Sequence, residues 1–325
     1  MVKEVSVTRE LPVNLNPKDE NLFDPALEAT FYVLPVFRLE NVAILQDTVF
    51  DPKQFKFYTE HTHTSGLGIL PIGKRILHCS IRKWRTVEVA MWIKDEWSAN
   101  YFHWLTDCLP RIWEGLKKGG AKKVLLMDSF KQLPFVTQSL KLIGVEPLFY
   151  KSNENLWVKN LILTSRTASF PNFNIPLTKL TRQKLRIKSE VESHRKIYIS
   201  RRFAPKRKSH NAKEVERLVI KYGFEVVYAE KMSLKKQIQL MSETKILVCL
   251  HGAALTNMLF LPDDASVVEL RNVGDDINQC YFNLASALDL KYYYTLNEGD
   301  SSNTIATNFT IDLESLEEVL KNFDD

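Results

Sequence analysis

Between residues 196 and 296 the chain alternates strand-length apolar runs with helix-length amphipathic segments, and this alternation constrains the fold more than any other feature. The runs are 196–200, 224–228, 246–250, 266–270 and 291–296, with helices expected from Asn211, Ser233 and Asp276. Asn211 and Glu214 have N-cap spacing, Val215, Leu218, Val219 and Tyr222 share one face, and Gly223 supplies the stop. Ser233 caps the next helix. The pattern predicts a parallel, doubly wound α/β sheet with right-handed crossovers, whose ligands gather beyond the carboxyl ends of the strands. Arg201 and Arg202, His251 and Gly252, and Glu269 and Arg271 fall at that edge.

The centre of this half is KILVCLHGAALTNMLFLP, residues 245–262. Ile246 through Leu250 is an unbroken apolar run suited to a strand covered on both faces. His251 ends it, and Gly252 opens the backbone angles a tight turn needs. Ala253 and Ala254 leave the first helical turn bare, so a ligand can approach its N–H groups. Exposed amides at a helix N-terminus suit a phosphate or diphosphate, with His251 placed to bond it. The stretch also fits an ordinary strand-to-helix connection. The loop RRFAPKRK, residues 201–208, adds five cations in eight residues, and arginine forks fit phosphate oxygens; basic runs are equally found as solvated loops. Glu269, at a strand end, is suited to accept from ribose hydroxyls.

The earlier half is less regular. Residues 1–30 read as an extended lead-in. Short runs at 31–50, 68–78 and 86–93 predict strands. A helix follows from Asn100 to about Leu109, then a strand at 123–127, an amphipathic segment at 132–143, and strands at 147–150 and 158–164. The β/α order predicts a second Rossmann-like half, with a helix at 177–192 linking the two. At 325 residues, two domains are expected, 1–190 and 191–325.

In WSANYFHWLTDCLPRI, residues 97–112, Asn100, His103 and Asp107 share one helical face. A histidine and a carboxylate one turn apart can serve as general base and orienter, though the spacing also fits a surface pair. Pro110 predicts an end or kink there. Trp84, Trp92, Trp97, Trp104 and Trp113 fall within thirty residues, which fits a carbohydrate-stacking cleft or a core. Glu60, His61 and His63 are weak metal candidates. No Asp-x-Asp triplet or HExxH motif is present, so no metal ligand set is expected; GxGxxG is also absent, which argues against a dinucleotide cofactor.

Composition excludes other classes. No run approaches the ~20 apolar residues of a membrane span, and the N-terminus has no apolar signal core, which predicts a cytoplasmic location. Cys79, Cys108, Cys249 and Cys280 are scattered through apolar patterns and read as reduced buried thiols. The formal charge of +5 suits anionic ligands or an acidic membrane surface. No nucleic-acid motif accompanies the basic loop, so nucleic acid is not expected as a partner.

NYFHWLTDCLPRI, YISRR at 198–202 and GFEVVYAEKMSLKKQIQLMSETKILVCLHGAALTNMLFLPDDASVVELR at 223–271 together resemble glycosyltransferase family 61. The resemblance covers about residues 95–295 and implies a GT-B-like architecture, two Rossmann-like domains facing each other across a cleft. It further implies inverting transfer from a nucleotide-sugar without an obligatory metal or other cofactor, onto a glycan or lipid-linked glycan acceptor. On this reading Arg201, Arg202, His251, Gly252, Ala253, Ala254, Asn257 and Glu269 hold the donor. Asp107 is the base with His103 orienting it, the reverse remaining open, while Asn100, Trp104 and Arg111 line the acceptor cleft. With no signal or anchor visible, the chain looks like a bacterial cytoplasmic enzyme of surface or capsular polysaccharide synthesis, compatible with peripheral membrane association. The competing class is a GT-B-like module that binds a nucleotide or polyanion without catalysis.

Overall fold

The first thirty residues carry more structure than their Pro- and Asn-rich composition predicts. In the computed structural model, which describes residues 2–187, 192–204, 206–273, 275, 278–301 and 307–324, β1 (Lys3–Thr8) pairs with β2 (Glu28–Val33). The helix Glu20–Leu27 between them buries Phe23, whose ring meets those of Phe282 and Tyr294 edge-on at 5.1 and 4.8 Å. Long-range aromatic burial, invisible to local propensity, orders this segment. The chain accordingly divides into Met1–Val5 with Tyr32–Ser169, and Ser6–Phe31 with Phe170–Asp325.

The first unit is built on a seven-stranded mixed sheet. Its strands are β3 (Phe37–Leu45), β4 (Thr48–Asp51), β5 (Lys56–Phe57), β6 (Lys83–Trp92), β7 (Lys123–Met127), β8 (Glu146–Tyr150) and β9 (Glu154–Leu163), ordered β5-β4-β3-β9-β6-β7-β8. From β9 to β8 the neighbours are parallel, with Trp92 opposite Leu163, whereas β3, β4 and β5 run antiparallel. Ile44, Trp92, Leu125, Val158 and Leu163 fill its core. Residues 68–78, expected as a strand, form instead the N-cap, Gly68, and most of a helix, Ile69–Ile81. Pro71 stands in its first turn, where a missing N–H breaks no bond, so it does not oppose the helix as it would farther in.

Tyr101–His103 continues through a π-helical turn, Trp104–Cys108, into the helix Leu109–Lys117, and the whole forms the crossover from β6 to the parallel β7. Pro110 therefore does not end the helix. The extra residue lets the Leu109 N–H reach the Trp104 carbonyl five residues back, and such π turns recur at functional sites.

The second unit carries β10 (Arg195–Ile199), β11 (Glu225–Val227), β12 (Thr244–Leu250), β13 (Ser266–Asn272), β14 (Lys291–Gly299) and β15 (Phe309–Thr310), ordered β11-β10-β12-β13-β14-β15. All pairs are parallel, as expected, except β14 with β15. The helices Ala212–Lys221 and Leu313–Lys321 bury Val215, Val219, Leu316 and Leu320 against the sheet. Asn211 holds the N-cap position as expected but makes no side-chain cap bond; its amide bonds both the carbonyl (2.7 Å) and the N–H (3.0 Å) of Ile311 instead. Ser233 caps as expected, accepting from Lys236 N–H at 3.3 Å.

The helix expected at 177–192 is Ile175–Leu185, and residues 188–191 lie outside the described residues. It belongs to the second unit rather than linking two domains at residue 190. The buried Arg182 explains this, donating to the carbonyls of Leu261 (3.1 Å), Pro262 (2.7 Å) and Leu288 (2.9 Å). The helix expected from Asp276 begins at Cys280; Asp276 itself is outside the described residues.

Candidate active site

The β12 strand delivers His251 and Gly252 to the carboxyl edge of the second unit's sheet. Gly252 has φ +151°, and a Cβ there would lie 2.9 Å from Arg201 Nη1, 3.2 Å from its guanidinium carbon and 3.4 Å from that of Arg207. Glycine is thus required twice, for the backbone and for the close approach of two arginines. The segment that follows, Ala253–Phe260, is a 3₁₀ helix with Ala253 and Ala254 partly exposed at its start.

Arg201 is fixed by its own loop, Nε donating to the Arg207 carbonyl at 3.0 Å and Nη2 to that of Lys206 at 2.8 Å. Burial pushes its guanidinium below the usual value, and the charge of Arg207 adds to the effect. Arg207 Nε is buried without a hydrogen-bond partner, and among the described residues neither arginine has a carboxylate within 4.0 Å. Two cations beside a glycine turn, with no carboxylate partner among the described residues, are an arrangement chemically suited to an anion. Arg202, expected to share this role, turns away to Glu216 (3.4 Å) and lies over the ring of Phe203. Pro205, in the same loop, is outside the described residues.

Beneath the turn, His251 is buried and its Nδ1 bonds Glu269. The other Glu269 oxygen accepts from the Tyr292 hydroxyl at 2.5 Å, and Asn278 lies 3.2 Å from His251 Nε2. Glu269 is fully buried, so it orients the imidazole and is not exposed to a ribose. Burial would raise its pKa, but the charge and hydrogen bond of His251, with the charge of Arg271, outweigh this and hold it low. Arg271 is itself fixed by Gln279 (2.7 Å) and the Asp275 carbonyl (2.9 Å). Asn257 is buried within the 3₁₀ helix, not exposed at the turn.

In the first unit, His103 Nδ1 lies 2.8 Å from Asp107 Oδ2, both side chains being partly exposed. Arg166 Nη1 is 3.4 Å from the same oxygen, and Arg166 Nε donates to Asp95 at 2.8 Å. Asp95 in turn pairs with Arg111 at 3.5 Å, giving a charge ladder from the core to His103. Burial would raise the Asp95 carboxyl, yet the Arg166 hydrogen bond and the charges of Arg111 and Arg166 bring it to about 2. Trp97, half exposed, tilts its ring 5.7 Å from that of His103.

The three residues expected to line an acceptor cleft do other work. Asn100 caps the helix by accepting from Phe102 N–H (2.9 Å). Trp104 is core, donating to Ser139 at 2.8 Å. Arg111 is fully buried and holds the carbonyls of His61 (2.8 Å) and Thr164 (2.7 Å). Trp92 and Trp113 are core as well, while Trp84 and Trp97 reach the surface. His61 bonds the Pro35 carbonyl and His63 pairs with Asp47, and no group of three or more potential metal ligands occurs among the described residues.

Sequence reasoning missed Asp95 and Arg166, and it did not single out Arg207 within the basic loop or Trp97 among the clustered tryptophans. Arg207 was hidden among five cations. Asp95 and Arg166 just follow the carboxyl ends of parallel β6 and β9, so the strand-end rule applied to the second half would have found them in the first.

The second unit is thus an α/β unit of parallel strands whose carboxyl edge brings Arg201 and Arg207, without a carboxylate partner among the described residues, against a glycine turn. The family profile described as Glycosyltransferase 61 matches residues 101–268, just over half of the 325 residues, and the chain belongs to that family. Among curated proteins it is similar to EGF domain-specific O-linked N-acetylglucosamine transferases. The identity is 40% over 63 residues with that of Bos taurus (19% of this chain, 12% of the relative). It is 38% over 72 residues with that of Drosophila melanogaster (22% and 14%) and 35% over 82 with that of Xenopus laevis (25% and 14%). The match thus spans about an eighth of each relative's length.

Proposed function

We propose that the chain is an inverting, metal-independent glycosyltransferase that moves a sugar from a nucleotide-diphosphate-sugar to a hydroxyl acceptor. The observation that carries this reading is the pair Arg201 and Arg207, without carboxylate partners among the described residues, packed against Gly252 in a chain of this family. Cations and amides already fixed in place stabilise the diphosphate as its bond to the anomeric carbon breaks, a role a metal plays elsewhere. Glu269 and Tyr292 below, with Asn278 at Nε2, fix the buried His251 under the turn, so that it supports the position of Gly252 beneath the same group.

The acceptor oxygen attacks the anomeric carbon as the diphosphate departs, and its proton passes to a base. His103 is assigned that role, reversing the first expectation. Asp107 Oδ2 is shared between His103 Nδ1 and Arg166, so the carboxylate orients the ring and Nε2, the nitrogen turned from it, takes the proton. Trp97 beside the imidazole offers a face for the acceptor sugar.

A GT-B-like division of labour, with donor on one unit and base on the other, is part of this proposal, as is a cytoplasmic role in bacterial surface polysaccharide synthesis with a glycan or lipid-linked glycan acceptor. The relatives' name makes N-acetylglucosamine the first donor sugar to test. The assay is release of nucleoside diphosphate from a panel of nucleotide-sugars, screened first by thermal shift, since a ligand of the folded state raises its apparent stability. A protein that binds diphosphates yet turns over no donor with any glycan acceptor is the non-catalytic module instead.

A further inference from the structure

The helix Ile69–Ile81 is mounted with its apolar face outward. Its inward side carries Arg75, which donates to Asp47 Oδ1 at 2.5 Å and to the Pro71 carbonyl at 3.0 Å. Cys79 also faces inward, packing against the Ala43, Leu45 and Phe50 cluster. The outward side carries Ile69 (88% exposed), Leu70 (86%), Leu77 (63%) and Ile81 (70%). A surface helix normally docks through such residues and shows its charges to water. Single exposed leucines are ordinary, but a stripe of four large aliphatics along one helix marks an interaction site.

The stripe does not stand alone. Trp84 follows the helix and is half exposed; Phe55 is 72% exposed, its ring 5.6 Å from that of Phe50 in the cluster that receives Cys79. The helix and the residues on either side of it in the chain carry charge of one sign. Between Thr64 and Val87 there is no acidic residue, whereas Lys74, Arg75, Arg82, Lys83 and Arg85 are present. Arg75 and Arg85 are matched by Asp47 and Glu154, which leaves the half-buried Arg82 and the exposed Lys74 and Lys83 beside the stripe, while Lys53 and Lys56 flank Phe55.

We propose that this helix seats the protein on an anionic lipid bilayer. Aliphatic and aromatic side chains on a convex helix, rimmed by lysines with no intervening acid, suit insertion at the boundary of headgroups and acyl chains. A convex stripe needs no complementary groove in a bilayer, and the exposed lysines beside it match its negative surface. The contact is peripheral, because no helix among the described residues is long and apolar enough to cross a membrane. This inference stands apart from the catalytic reading and does not depend on it.

The test is co-sedimentation of the full chain with vesicles of phosphatidylglycerol and phosphatidylcholine, against vesicles of phosphatidylcholine alone. The chain is expected to pellet with the anionic vesicles and largely to remain soluble with the neutral ones. The variant Leu77→Glu/Ile81→Glu should lower the partition coefficient by more than about tenfold. Lys74→Gln/Lys83→Gln should lower it by roughly fivefold per charge removed. All four side chains are exposed, and unchanged circular dichroism and melting will show that the variants fold. The proposal is overturned if the chain fails to pellet with anionic vesicles, or if both variants bind as the parent does. It is also overturned if light scattering shows a lipid-free dimer that Leu77→Glu/Ile81→Glu dissociates, since the stripe then belongs to a second copy.

Discussion

Replacing Arg207 with glutamine isolates the anion site from the fold. The Arg207 guanidinium carbon lies 3.4 Å from the position a Gly252 Cβ would take, and its Nε has no partner. An anion in the turn would receive one or two charge-assisted hydrogen bonds from this side chain, each contributing about 1.5–3 kcal/mol. Loss of a single bond therefore weakens diphosphate binding roughly 10- to 150-fold. The loop should persist, because Arg201 is anchored on the Arg207 and Lys206 carbonyls and not on the side chain removed. Removing one of two neighbouring cations also relieves repulsion, so the ligand-free variant should melt no lower than the parent. The assay is titration calorimetry with inorganic pyrophosphate and with uridine and guanosine diphosphates, at low and high salt. Arg202→Gln is the control: tied to Glu216 at 3.4 Å, Arg202 should change affinity less than about threefold. Equal losses for both variants, or unchanged affinity in Arg207→Gln, would refute the argument.

Three further outcomes are expected. His103→Ala should reduce turnover by about 10²- to 10⁴-fold with donor affinity nearly constant, and Asp107→Asn should reduce it less; the opposite ranking in single-turnover assays returns the base to Asp107. Transfer should survive EDTA, and loss restored by manganese or magnesium would point to an unrecognised carboxylate site, with Asp263, Asp264 and Asp275 the first to replace. Lys94 is buried, with Nζ 4.3 Å over the Trp92 ring, and burial lowers its pKa from 10.5 to about 8 although Asp47 and Asp95 oppose this. That drop corresponds to about 3 kcal/mol of destabilisation while the group is charged. The unfolded chain keeps the proton up to pH 10.5 but the folded chain releases it near 8, so parent stability should rise across that window. Lys94→Met should thus be more stable at pH 7 by roughly 1–3 kcal/mol, after the lost cation–π contact, with the gap closing by pH 10.5 in denaturant titrations. A gap independent of pH would refute it.

The sequence by itself determined the parallel order of the second unit, because apolar runs of five residues separated by amphipathic helices can bury both faces of a strand in few other ways. It also determined that His251 and Gly252 stand at a strand end and that His103 and Asp107 meet, since a spacing of four along a helix brings side chains together whatever surrounds them. Tertiary structure decided everything that depends on direction. Of the arginines in one loop, the backbone's path turned Arg207 toward Gly252 and Arg202 toward Glu216. Of the acids at strand ends, packing buried Glu269 beneath His251 and brought Arg166 to Asp107. It alone set the Ile69–Ile81 helix with its leucines outward, because periodicity marks an apolar face but not whether that face meets the core or solvent.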